Sequence, residues 1–321
     1  MLKYILKRFV QMFIVLFVVS VLVFLLTNFI GNPVDMLVPQ NATMEEIEAA
    51  RIRLGLDKPL PVQYMIFLND VLHGNFGKSY IYGKPAMGLI VERIPATMEI
   101  VVVAAVLTLV VAIPLGVYAG AYPKKTSSKL VMTGSILGIS LPSFWVGMML
   151  IYMFAVMFQI LPASGRGNTV EVLGVKTSLF APGGWKHIIL PAITLALSHL
   201  ATTIRLTRSG IIENMKQDYI KFARAKGVAG KKVIFGHALK NALIPVITVF
   251  GMNLGGMIAF TTITETIFAW PGMGKLLIDA IGKADRPIIV AYLMATACMF
   301  VVINFVVDLL YTFIDPRIEL R

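Results

Sequence analysis

The chain has 321 residues, of which 57% are hydrophobic and only 14% charged, and it carries a formal net charge of +12. A soluble domain needs about a quarter of its residues charged to cover its surface, so this composition excludes one and points to a membrane protein. The excess of cations does not point to nucleic acid: a nucleic-acid surface needs a solvated basic face with exposed aromatics, and here the aromatics lie largely inside apolar runs. Anionic lipid is the simpler counter-charge. The single cysteine, Cys298, has no partner within the chain and sets no redox compartment.

Lys3, Lys7 and Arg8 precede an uncharged run from Phe9 to Val34. The run is longer than the apolar region of a cleaved signal peptide and lacks a small-residue cleavage site, so it predicts a retained first span that ends near the GNP turn at Gly31 to Pro33. Residues 35–95 hold six cations against seven acids. This polar segment predicts a short helix around Glu45, Glu46, Glu48, Arg51 and Arg53. Its GNFGKS has Leu72 where a phosphate-binding loop needs glycine, so Gly74 and Gly77 read as turns.

Five further uncharged runs follow: Ile100–Pro123, Leu130–Gly165, His187–Ile204, Asn241–Thr264 and Pro287–Val307. Each is long enough to cross a hydrocarbon core of about 30 Å as a helix. The segments are residues 1–8 inside, 9–30 spanning, 31–97 outside, 98–121 spanning, 122–129 inside, 130–160 spanning and 161–186 outside. They continue with 187–207 spanning, 208–240 inside, 241–266 spanning, 267–287 outside, 288–312 spanning and a tail at 313–321. The expected fold is an all-α membrane protein of six transmembrane helices with both termini cytoplasmic. Lys124, Lys125 and Lys129 in one inner loop and the basic tract in the other agree with the positive-inside rule.

Glycines spaced by four, Gly116 with Gly120, Gly134 with Gly138 and Gly251 with Gly255, predict close helix packing within the bundle or at a dimer interface. Pro114, Pro142, Pro191 and Pro245 interrupt the spans, which favours a transporter interior over an anchor. Ionisable groups near the membrane are Glu99, His199, Glu265 and Asp308. Only His199 lies deep, where a hydrogen-bonded structural role is commoner than a proton relay. The four histidines lack metal-ligand spacing and no hydrolase motif occurs, so neither catalysis nor a metal or cofactor site is expected in this chain.

Between Arg205 and Lys240 nine Lys or Arg face two acids, Glu213 and Asp218. Within this tract Met215, Tyr219, Phe222 and Ala223 recur at helical spacing, and Gly227 is a natural stop. A second helical stretch, Lys231–Asn241, leads into the fifth span. An amphipathic helix held between two spans at the inner surface suits either anionic lipid or a groove on a cytoplasmic partner, for which the small Ala223, Ala225 and Gly227 give a close-fitting surface.

The stretch DYIKFARAKGVAGKKVIFGHALKNALIP resembles the cytoplasmic loop of permease subunits of binding-protein-dependent ABC importers, in the branch that carries dipeptides, oligopeptides, glutathione and nickel. LGLDKPLPVQY, GNFGKS, ETIFAWPGMGKLLIDAI and NFVVDLLYTFIDPRI are similar to that branch as well, in order along the chain. Lys221, Phe222 and Ala223 stand where the family's loop has Glu-Ala-Ala; Gly227 matches, and Lys240 follows Leu239 where the motif has proline.

The resemblance implies a type I ABC importer permease in a bacterial or archaeal cytoplasmic membrane. It implies a second, homologous permease as heterodimer partner, two ATPase subunits that hold ATP-Mg, and an extracytoplasmic substrate-binding protein. Tyr219, Phe222, Ala223, Arg224, Ala225 and Gly227 would form the ATPase-docking helix, and Trp270 and Asp285 are candidates to touch the binding protein. The alternative expectation is a proton-coupled carrier or channel using His199 and Glu265 without an ATPase.

Overall fold

The computed structural model describes residues 2–29, 43–53 and 55–314. The GNP turn at 31–33 and residues 315–321 of the tail lie outside the described residues. Among the described residues the elements are α1 (Leu2–Phe29), α2 (Met44–Arg53), α3 (Leu60–Leu72), α4 (Ala86–Ala121), α5 (Thr126–Ser140) and α6 (Ser143–Ile151, continued as a π-helical turn over Tyr152–Met157). A hairpin of β1 (Val170–Val172) and β2 (Val175–Thr177) follows. The chain then forms α7 (Gly184–Asn214), α8 (Asp218–Ala225), α9 (Leu239–Ile267), α10 (Met273–Gly282) and α11 (Arg286–Ile314). A turn at Gly230–Lys232 and a π-helical segment at Val233–Ala238 lead into α9.

Five helical stretches are long and apolar enough to cross a membrane: Leu6–Leu26, Ala86–Ala121, Gly184–Asn214, Gly230–Ile267 and Arg286–Leu309. The span expected at residues 130–160, the third in chain order, is not one helix. It is the pair Thr126–Ser140 and Ser143–Met157, bent by 102°. Proline disfavours the helical conformation in the residue before it, and Leu141 is extended at φ −89° and ψ 132° ahead of Pro142. Pro191 and Pro245, in contrast, sit inside the continuous helices α7 and α9.

Between the helices lies one short antiparallel hairpin, in which Val170 pairs with Thr177 and Val172 with Val175. Leu173 at φ 52° and Gly174 at φ 79° give its turn two left-handed residues, the backbone that matches strand twist in two-residue hairpins. Helix α3 was not foreseen. Pro59 and Pro61 flank its first residue, where a missing N–H costs nothing.

The contacts divide into two units, residues 1–97 with 271–302 and residues 98–270 with 303–321. In the first, Val23 of α1 and Val290 and Met294 of α11 form a small core against Phe67 and Val71 of α3. The Ser20 hydroxyl and the Tyr64 phenol are hydrogen-bonded at 2.9 Å. In the second unit α7 packs against α9, α5 and α6.

The glycine pairs divide too. A Cβ on Gly116 would lie 2.5 Å from Thr207 and one on Gly120 2.7 Å from Ile211, so α4 and α7 approach backbone to backbone. A Cβ on Gly134 would meet nothing within 4 Å. Gly116 and Gly120 are therefore packing residues inside this chain.

Candidate functional site: helix α8 and two carboxylate clasps

Helix α8 is built by its two ends and one apolar edge. Asp218 stands in the first turn, where a negative charge suits the helix dipole. The exposed Lys221 donates to its carboxylate at 2.8 Å and holds it below the usual carboxylate range. At the other end the Val228 amide donates to the Ala223 carbonyl at 3.2 Å and the Gly227 amide to the Arg224 carbonyl at 2.9 Å. This is the paired bonding of a Schellman stop, and it needs a left-handed residue. Gly227 supplies it at φ 76°.

The buried edge of α8 is Ile220 and Ala223. They share one core with Val117 of α4, Ile211 of α7 and Ala242 of α9, and Val228, Ile234 and Met215 pack against it. Tyr219 adds a polar strap: its phenol donates to Asn214 at 2.7 Å and accepts from Asn241 at 3.0 Å, tying the end of α7 to the entry of α9. Helix α8 is thereby seated on three long helices.

The outward edge differs from the one expected. Ala223 is only 8% exposed and faces the chain's own core, whereas Phe222 is 62% exposed. Lys226 lies over the Phe222 ring at 4.5 Å. Arg224, Ala225 and Gly227 are exposed as well, and Tyr219 partly so. The surface open to a partner is therefore an aromatic knob rimmed by cations, and the stripe of Met215, Tyr219, Phe222 and Ala223 is split between inside and outside. The i, i+3 pair Ile220 and Ala223 was the signal for the inner edge.

Two further constellations hold segments that join the long helices. In the second unit the Glu99 carboxylate receives Arg166 Nε at 2.9 Å and the Ser178 amide and hydroxyl at 2.7 and 2.9 Å. A second guanidinium nitrogen of Arg166 lies 2.9 Å from Glu99 and donates to the Lys176 carbonyl at 2.6 Å. Glu99 is thus a buried, fully partnered carboxylate. It pins the hairpin strand, and neither Arg166 nor Ser178 was foreseen in that role.

In the first unit Asp285 accepts from the Ser79 hydroxyl and, at 3.2 Å, from the Tyr80 amide. Asp285 is fully buried, and so is Trp270 in the second unit, where its amide donates to the Glu265 carbonyl at 2.8 Å. Both side chains are thus taken up inside this chain's own packing and not at its surface. His199 lines a cavity of about 410 Å³ with Pro142, Thr194 and Phe260, beside the break between α5 and α6. Its Nε2 atom has no hydrogen-bond partner among the described residues.

The comparisons with known proteins follow this architecture. Residues 1–101 match the N-terminal model of binding-protein-dependent transport system membrane components, and residues 112–320 match the model of the inner membrane component itself. The chain is 38% identical, over 92% of its length and 91% of the relative's, to the probable D,D-dipeptide transport system permease protein DdpB of Escherichia coli K12. It is 35% identical to the oligopeptide transport system permease protein AppB of Bacillus subtilis 168, over 99% of this chain and all of that one. Its fold is similar to a chain of the inward-facing MetNI methionine ABC transporter, with a TM-score of 0.56 at 15% identity over 71% of this chain and 97% of that chain. With both family models matched in order along nearly its whole length, the chain belongs to the family of inner membrane components of binding-protein-dependent transport systems.

Proposed function

We propose that this protein is the membrane-spanning permease subunit of an ABC importer for peptides or related small ligands, driven by ATP hydrolysis on separate subunits. The reading rests on one observation above all, the seating of α8. Its Phe222 knob is exposed while Ile220 and Ala223 are locked into a core shared with α4, α7 and α9. A well-packed interior transmits displacement instead of absorbing it. A push on Phe222 therefore moves the inner ends of three long helices together.

Two ATPase subunits, one on this chain and one on a homologous permease partner, would each receive such a helix in a groove. Closing on ATP-Mg would bring the two helices together and rock the spans between inward and outward access. An extracytoplasmic binding protein would deliver cargo to the outer segments. The peptide class is carried over from relatives named for D,D-dipeptide, di/tripeptide and oligopeptide transport. Family membership sets aside the self-contained proton-coupled carrier built on His199 and Glu265.

The test is co-expression of this chain with the second permease and the ATPases encoded beside it. Wild type should retain the ATPases through purification and support ATP-dependent peptide uptake in liposomes, and Phe222→Asp should lose both while keeping the fold. Undiminished ATPase retention by Phe222→Asp, or uptake by this chain alone under a proton gradient, would overturn the reading.

A further inference from the structure

Helix α3 is apolar on two opposite sides. Over Leu60–Leu72 its one formal charge is Asp70. The edge made by Tyr64, Phe67 and Val71 faces α1: the Tyr64 and Phe67 rings meet Phe24 at centroid distances of 5.4 and 5.6 Å, and Phe67 and Val71 pack on the small core around Val23. With about 3.6 residues per turn, Val62, Met65, Ile66 and Leu72 fall on the opposite arc, while Gln63 and Asp70 share a flank. All four are exposed, Met65 at 66% and Leu72 at 76%. A helix apolar all round belongs in a protein core or in lipid, and no residue of α3 is buried by this chain.

Where α3 touches α1 selects lipid. Its partners there are Phe17, Ser20, Val23 and Phe24, all inside the apolar span Leu6–Leu26. They stand two to nine residues before Leu26, which at about 1.5 Å per residue is about 3–14 Å into the span. An interfacial helix lies about 5–10 Å into the boundary of headgroups and acyl chains, so α3 runs at that depth. At the same height Leu22 of α1 is 52% exposed and presents its own lipid face. The contact also suits a dry setting, where polar groups need internal partners: the Ser20 hydroxyl donates to the Phe17 carbonyl at 2.7 Å and pairs with the Tyr64 phenol. At thirteen residues α3 is about 20 Å long, too short to cross a core of about 30 Å. Lys58 precedes it and His73 and Asn75 follow it, so both of its ends seek water.

We propose that α3 is an interfacial helix whose partner is the bilayer itself. It lies along the lipid boundary at the C-terminal end of the α1 span, with Val62, Met65, Ile66 and Leu72 among the acyl chains and Asp70 and Gln63 on a flank. The connection from α1 to α4 is thereby held at the membrane. This surface is independent of α8, so it stands or falls apart from the transport reading.

The experiment uses the full chain in nanodiscs, with Cys298→Ser as background and one introduced cysteine carrying an environment-sensitive fluorophore. Met65→Cys reads α3, Leu22→Cys on the exposed face of α1 is the lipid reference, and Glu45→Cys on the exposed, charged α2 is the water reference. The Met65 probe should lose most of its emission to a phosphatidylcholine bearing a doxyl quencher high on its acyl chain and little to aqueous iodide, as at Leu22 and opposite to Glu45. Val62→Cys repeats the measurement from the same arc and covers the case in which the first variant does not fold. Iodide quenching on α3 equal to that at Glu45 puts the face in water and overturns the proposal. Shielding from both quenchers overturns it as well, because a protein partner then covers the face. Iodide quenching at Leu22 removes the span from which the depth is measured and has the same consequence.

Discussion

Arg166 grips Glu99 with two guanidinium nitrogens, and the pair lies almost wholly out of solvent, at 12% and 6% exposure. Taking one member away strands the other without its partner. Arg166→Met should therefore destabilise the purified chain by about 3–5 kcal/mol, because an uncompensated buried charge remains. The double variant Glu99→Met with Arg166→Met should recover part of that loss. Thermal unfolding in detergent, followed by circular dichroism, measures both; a double variant weaker than the single one would contradict the argument.

Gly116 and Gly134 are predicted to part company. Alanine at 116 forces α4 away from Thr207, with an overpacking cost of about 1–3 kcal/mol. Alanine at 134 meets open space and should stay within about 0.5 kcal/mol of wild type. Unfolding midpoints of the two variants check this, and equal midpoints would mean that the close approach of α4 to α7 does not matter for stability.

At Gly227 space is open but the backbone is left-handed. Alanine there costs about 1–2 kcal/mol through its Cβ, and asparagine, which tolerates that conformation, costs less. Limited proteolysis of the 208–240 loop should order the variants as wild type, asparagine, alanine in resistance. Alanine as resistant as wild type would remove the Schellman stop from the account.

Phe222 and Ile220 separate docking from folding, although they are two residues apart. Ile220→Ala empties a fully buried site and should cost about 2–5 kcal/mol. Phe222→Ala touches an exposed ring and should change stability by no more than about 0.5 kcal/mol, yet sharply reduce co-purification of the ATPases. Stability falls in one and partner retention in the other; the reverse pattern would place the docking face on the wrong edge.

The apolar runs, the basic tract and the stop at Gly227 were readable directly, because each depends on local composition or on one residue's backbone freedom. Pro142 and Pro191 show where that reading ends. Both interrupt apolar runs, but only Pro142 breaks its helix, by 102°, since whether freed carbonyls find other partners is settled by neighbours that no local window contains. The face of α8 is similar. Periodicity put Met215, Tyr219, Phe222 and Ala223 on one stripe, and the shared core of Val117, Ile211 and Ala242 drew Ile220 and Ala223 inward instead.

Sequence by itself determined that this is a membrane protein, how many apolar stretches it has and where its cationic tract lies, because the bilayer and the helix impose rules on every residue in turn. Tertiary structure alone decided which charges are spent on clasps. Glu99 meets Arg166 across 67 positions and Asp285 meets Ser79 across 206, distances at which only the folded chain brings a carboxylate to its donors.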